Sequence, residues 1–167
     1  MKILYSLRHA ESSPDPSLAD HDRPLNERGR RAASAMADEI NRRGIRPEVV
    51  LCSTARRAIE TLEAFSEMFA ESADIHVERE LYLAGIGGLT DRMNALSPRV
   101  GSTMLIGHNP AMHEFAAALA GDGSEVARLR SKFPSGALAV LEFDQEEWDL
   151  RPGTGSLTAF VLPSDFE

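Results

Sequence analysis

The sequence predicts an α/β fold: a mostly parallel sheet with helices on both faces, a three-layer αβα sandwich with an antiparallel edge. Two observations carry this. Short apolar runs alternate with amphipathic helical runs over the first 120 residues, the pattern of successive strand–helix units. Beyond residue 135 the pattern changes to two apolar runs, "GALAVLEFD" and "LTAFVLP", separated by a polar segment, which read as a hairpin or meander added at or near a sheet edge.

The elements follow in order. Residues 2–7 read as a buried strand, and residues 11–24, with three prolines and several Asp and Ser, as a loop. Asn26 caps a helix that carries Ala32, Ala35, Met36, Glu39 and Ile40 at helical spacing and stops at Gly44. Residues 48–52, "EVVLC", form a second strand. "TARRAIETLEAFSEMFA" follows as one amphipathic helix whose apolar face is Ala58, Ile59, Leu62, Phe65, Met68 and Phe69. Residues 74–78 read as a strand and Leu89–Leu96 as a short helix. "STMLIG" (102–107) is a strand running into His108, and "PAMHEFAAALAG" is a helix with Pro110 in its first turn and Gly121 at its end.

The chain has 167 residues, 43% hydrophobic and 26% charged, enough for one domain (1–167) with a proper core. No apolar stretch is long enough to span a membrane, and the N-terminus lacks the form of a secretory signal. Cys52 is the only cysteine, so no internal disulfide forms and a cytoplasmic setting is expected. The net charge of −8 argues against nucleic acid or an anionic membrane as partner. A monomer is expected.

Against that negative background, three strand ends stand out. In an open parallel sheet the strand C-termini share one edge, and ligands bind in the crevice outside it. The first strand ends in Arg8-His9, the second in "CSTARR", the later one in "GHNP". His9, His108 and an arginine at 56 or 57 therefore fall along one edge. A single Arg-His at a strand end is ordinary solvated surface; the joint occurrence is not. Two imidazoles and two guanidiniums suit a phosphoryl group, because arginine offers a charged planar fork that matches phosphate oxygens. A neutral imidazole attacks phosphorus, and neighbouring arginines disfavour its protonation.

These segments ("LRHAES", "DRPLNERGRRAA", "CSTARRAIETLEAF", "MLIGHNPAMHEFAAALAG" and "FPSGALAVLEF") resemble the histidine phosphatase superfamily, the phosphoglycerate mutase-like fold, over nearly the whole chain. The compact length, "DRPLNERG" and "GHNP" are most similar to the SixA-type phosphohistidine phosphatases. The resemblance implies His9 as the nucleophile that takes the phosphoryl group and Arg8 as a ligand of phosphate oxygens. It places the motif arginine at Arg57, Arg56 filling a variable slot, and makes His108 a donor to the transferring group. No cofactor is expected, and no metal, because arginine and histidine supply the positive charge. Thr54 replaces the usual proline, Glu60 stands where glutamine is common, and no general acid is assigned, although Glu78 and Glu80 lie near the position where relatives carry one.

Three functions compete: a phosphatase acting on phosphohistidine in a protein, a phosphatase of small phosphorylated metabolites, and a non-catalytic phosphate-binding module. The four expected site residues favour an enzyme, and the short connections favour a pocket open to a protein side chain. The remaining histidines read as surface: His21 in the polar loop, with the crevice mouth as its alternative place, His76 on an outward strand face, His113 on a helix surface. Trp148 is placed over a sheet edge.

Overall fold

A computed structural model describes residues 1–166. Seven strands make one sheet in the order β3-β2-β4-β1-β6-β7-β5. They are β1 (Lys2–Arg8), β2 (Val49–Ser53), β3 (Asp74–Glu78), β4 (Ser102–Gly107), β5 (Ala120–Asp122), β6 (Leu138–Phe143) and β7 (Gly155–Val161). The helices are α1 (Glu27–Arg42), α2 (Arg56–Glu63), α3 (Glu80–Leu83), α4 (Ile86–Asn94), α5 (Ala111–Leu119) and α6 (Val126–Ser131). β1 pairs in parallel with β4, β4 with β2, and β2 with β3. β6 pairs antiparallel with both β1 and β7, and β5 pairs in parallel with β7. The tail therefore builds one side of the sheet. Its antiparallel member, β6, lies against β1, and the short β5 occupies the outer edge.

Side-chain parity on the strands sorts the core into two layers. Leu51, Leu105, Leu141 and Phe143 face α3–α6, packing with Leu89, Met93, Phe115 and Leu129. Val50, Cys52, Met104, Ile106 and Val140 face the other way, onto Met36 and Ile40 of α1 and Leu62 of α2. The result is three layers, αβα. The buried stripe of α1 is centred on Ala33, Met36, Ala37 and Ile40, and the buried Glu39 pairs with Arg42 and Arg43. Asn26 caps α1 as expected, its side chain accepting from the Gly29 amide at 2.8 Å. Among the described residues no helix is long and apolar enough to cross a membrane.

The expected single helix over 54–70 is two pieces, α2 and a 3₁₀ turn at Ser66–Phe69. The break falls at Phe65, and it lets Phe65 and Phe69 both bury, their rings 5.7 Å apart. α3, β5 and α6 lie in stretches too short to show a period. His113 is not helix surface: its Nε2 lies 2.7 Å from the Leu129 carbonyl, tying α5 to α6. His76 is exposed on β3 as expected. Trp148 is buried at the N-terminal ends of β1 and β4, donating to the Val100 carbonyl at 2.8 Å with the Lys2 ammonium over its ring.

Two glycines set how the chain closes around the end of β1. Gly29 comes so near the segment after His9 that a Cβ there would lie 1.9 Å from the Glu11 carbonyl oxygen. That oxygen also accepts from the Asn26 amide. Gly29→Ala must push α1 off this backbone and is expected to cost about 1–3 kcal/mol, read as a lower urea midpoint. An unchanged midpoint would show that the approach is looser than described. Gly136 adopts φ +77°, closed to most side chains, and its amide reaches the carbonyls of Arg8 and His9 at 3.1 and 3.0 Å.

Candidate active site

β1, β2 and β4 run parallel, so their C-terminal ends share an edge. There the structure brings together His9, Arg57 and His108. The imidazoles of His9 and His108 stand 5.1 Å apart between centroids. Arg57 Nε donates to His9 Nε2 at 3.3 Å. Between the two candidate arginines the geometry is decisive. Arg57 is buried against His9, whereas Arg56 points to solvent and pairs with Glu60 at 3.0 Å. Arg8 is half-buried, donates to the Phe133 carbonyl at 3.2 Å, and keeps its Nε buried without a partner among the described residues. Asn109 donates to the same carbonyl at 2.8 Å, which joins "RH" and "GHNP" through one acceptor.

The tautomer of His9 follows from its neighbours. Nδ1 lies 2.7 Å from the Ala10 carbonyl, an acceptor only, so Nδ1 carries the proton. Nε2 then holds a lone pair, which receives the Arg57 N–H. Burial, chiefly, with the charges of His108, Arg57 and Arg8, pulls the His9 pKa down to about 3 despite the Ala10 bond. Burial, then Arg57, lowers His108 to about 4. Burial likewise lowers Arg8, with Arg57 adding to it. Nε2 of His108 lies 2.7 Å from Ser53 Oγ, while its Nδ1 is buried without a partner among the described residues.

These shifts set a pH dependence of stability. The fold favours neutral imidazoles, so as pH falls the unfolded chain takes up protons first, near its ordinary histidine pKa of about 6.5. Stability is full above that value and declines toward about pH 3 for His9 and about pH 4 for His108. Carboxylates held low by partners, Asp20 and Glu78 among them, lose their contribution only below about pH 4.5. Urea midpoints are therefore expected to fall between about pH 6.5 and 4.5, and less steeply in His9→Ala. A flat profile there would contradict the burial of neutral rings.

Three further residues reach this crevice: Asp20 and Tyr82, which the sequence did not single out for it, and His21, for which the crevice mouth was the lesser of two readings. A 3₁₀ turn at Asp20–Asp22 folds the 11–24 loop back over the strand ends, and Arg23 clamps it through Ser12 Oγ and the Ser13 carbonyl. Asp20 accepts from Arg57 twice, at its backbone oxygen (2.7 Å) and at Oδ2 (3.1 Å). Tyr82 of α3 donates its hydroxyl to the same Oδ2 at 2.5 Å. Bonds from Tyr82 and Arg23, then Arg57, hold the Asp20 carboxyl far below the usual carboxylate range. His21, expected at the surface, is half-buried and lies 2.8 Å from Thr54 Oγ1, the residue that replaces the usual proline. The one sequence signal for Asp20 and His21 was the polar turn immediately before "RPLNERG", and Tyr82 had none. The two carboxylates near the position of an acid in relatives stand aside: Glu78 is paired with Arg92 at 2.7 and 2.9 Å, and Glu80 is exposed. Glu60 accepts from the Leu25 amide at 2.8 Å.

Parallel strand ends that bear two histidines and an arginine, in an αβα sandwich, form a crevice whose chemistry suits a phosphoryl group. The pattern of the histidine phosphatase superfamily (branch 1) matches residues 4–92. An uncharacterised protein of Mycobacterium tuberculosis is 33% identical over 161 residues, covering 94% of this chain and 99% of its own length. A crystal structure from Agrobacterium tumefaciens, described as a candidate phosphohistidine phosphatase SixA, is 34% identical with a TM-score of 0.81, covering 96% of this chain and 97% of that one. The protein histidine phosphatase SixA complexed with tungstate shares the fold at 23% identity and a TM-score of 0.80, covering 99% of both chains. The chain belongs to the histidine phosphatase superfamily and is of its SixA type, with the phosphoglycerate mutase-like fold.

Proposed function

We propose that this phosphatase hydrolyses phosphohistidine in a protein through a covalent phosphohistidine on His9. The observation that carries the proposal is the fixed orientation of His9. Its proton is held at Nδ1 by Ala10, so the Nε2 lone pair is presented beside Arg57 in a site that keeps the ring neutral. The substrate phosphoryl group lies among Arg8, His9, Arg57 and His108. Its oxygens draw the Arg57 N–H away from His9 Nε2, which frees the lone pair at the moment it is needed.

Nε2 then bonds to phosphorus in line as the bond to the leaving group breaks. The guanidiniums and His108 stabilise charge on the equatorial oxygens, the main contribution a protein makes to phosphoryl transfer. They supply positive charge without a metal ion. When the leaving atom is an imidazole nitrogen, the P–N electron pair returns to a ring that is protonated on its other nitrogen and departs neutral. Such a leaving group needs no protein acid, which suits a crevice whose carboxylate, Asp20, is already ion-paired. Water then attacks phosphorus, the P–Nε2 bond breaks, inorganic phosphate leaves, and His9 regains its lone pair.

A protein substrate is supported by the short connections after β2 and β4 (residues 54–55 and 108–110) and by the description of the Agrobacterium relative. The test compares a phosphohistidine-bearing protein with a panel of sugar phosphates. The proposal expects kcat/KM to favour the phosphoprotein by at least about 100-fold. Preference for a sugar phosphate would replace it with a metabolite phosphatase, and turnover of neither would leave a phosphate-binding module.

A further inference from the structure

Four rings run side by side along the crevice. His9 meets His108 at 5.1 Å, His108 meets Tyr82 at 5.4 Å, and Tyr82 meets His21 at 4.7 Å, centroid to centroid. The Tyr82 ring stands nearly perpendicular to both neighbouring imidazoles, at 79° and 85°. The Arg57 guanidinium carbon lies 6.0 Å from the Tyr82 ring centre. Tyr82 is only partly buried, so part of its ring remains open beside the imidazole–guanidinium cluster.

We propose that Tyr82, backed by His21, is a specificity-determining residue: it forms a leaving-group subsite that selects planar aromatic rings, imidazole or aryl, over aliphatic groups. The inference rests on the reading above for where the phosphoryl group sits. One anchor fixes the spacing between the two subsites, because Asp20 Oδ2 accepts both the Tyr82 hydroxyl and Arg57 Nη2. The phosphate-binding guanidinium and the aromatic wall therefore move together. A flat ring attached to phosphorus meets the wall edge-to-face or offset-stacked, geometries that add to its area burial. A polyol in the same place loses water from its hydroxyls and gains no partner from a ring face.

The test measures kcat/KM for N-phosphoimidazole and for acetyl phosphate, two activated phosphoryl donors of which only the first carries a ring. The quantity read is their ratio, so any general loss cancels. Tyr82→Leu is expected to lower the ratio about fivefold, mainly through KM for the ring substrate. Tyr82→Phe keeps the ring and is expected to hold the ratio within about twofold, although it loses the bond to Asp20. An unchanged ratio in Tyr82→Leu would overturn the proposal. So would an equal fall in Leu and Phe, which would assign Tyr82 to bracing Asp20 instead. A wild-type enzyme inactive on phosphohistidine protein, yet with a ratio that depends on the Tyr82 ring, would uphold the aromatic subsite while removing the protein substrate.

Discussion

His9→Ala is expected to abolish turnover, with kcat/KM reduced by about 10⁴-fold or more on any phosphoryl donor. His9 is the ring whose Nε2 lone pair is both fixed by a backbone acceptor and set beside a guanidinium. His108 does not replace it, because Ser53 engages its Nε2 and no backbone acceptor fixes a proton on its Nδ1 among the described residues. The variant should fold, since the ring costs stability at acid pH and leaves the strand ladder of β1 intact. Steady-state turnover with unchanged circular dichroism is the measurement. Residual activity above about 1% of wild type would point to another nucleophile.

The second large effect separates two adjacent arginines. Arg57→Ala is expected to lower kcat/KM about 10³-fold, the scale seen when a preorganised donor to a developing charge is removed. Arg57 is buried, touches His9 and is held by two bonds to Asp20. Arg56→Ala should change activity by less than about twofold, because its exposed pair with Glu60 is a surface interaction of small worth. Arg57→Lys is expected to recover little: an ammonium is a single point donor and does not reach His9 and Asp20 together. Equal losses for the alanine variants at 56 and 57 would contradict the site geometry.

Much of the candidate site's layout is legible in the sequence. Arg8-His9, "CSTARR" and "GHNP" each terminate an apolar run, and costly polar groups at equivalent ends of parallel strands declare a shared edge. The same reasoning left Arg56 and Arg57 open from pattern alone, because either begins a helix; burial decides between them, and burial belongs to tertiary structure. Asp20 and Tyr82 were hidden for a different reason. One sits in a 3₁₀ turn of a proline-rich loop, the other in a one-turn helix, and neither has a period that orients its side chain. Only the fold shows that both meet at Arg57. The place of β6 inside the sheet was hidden as well, since two apolar runs joined by a polar segment specify a hairpin but not which of its strands lies against β1. His113 misled by spacing: on α5 alone it faces outward, and α6, six residues long, is what covers it.

The most direct measurement is trapping of the phosphoenzyme. Wild-type protein is exposed briefly to a ³²P-labelled phosphoryl donor, quenched, digested and mapped. The account predicts one labelled peptide containing residue 9, with the label lost in acid, kept in alkali, and missing from His9→Ala. A label on another residue, or rapid turnover with no covalent label at any quench time, would contradict it.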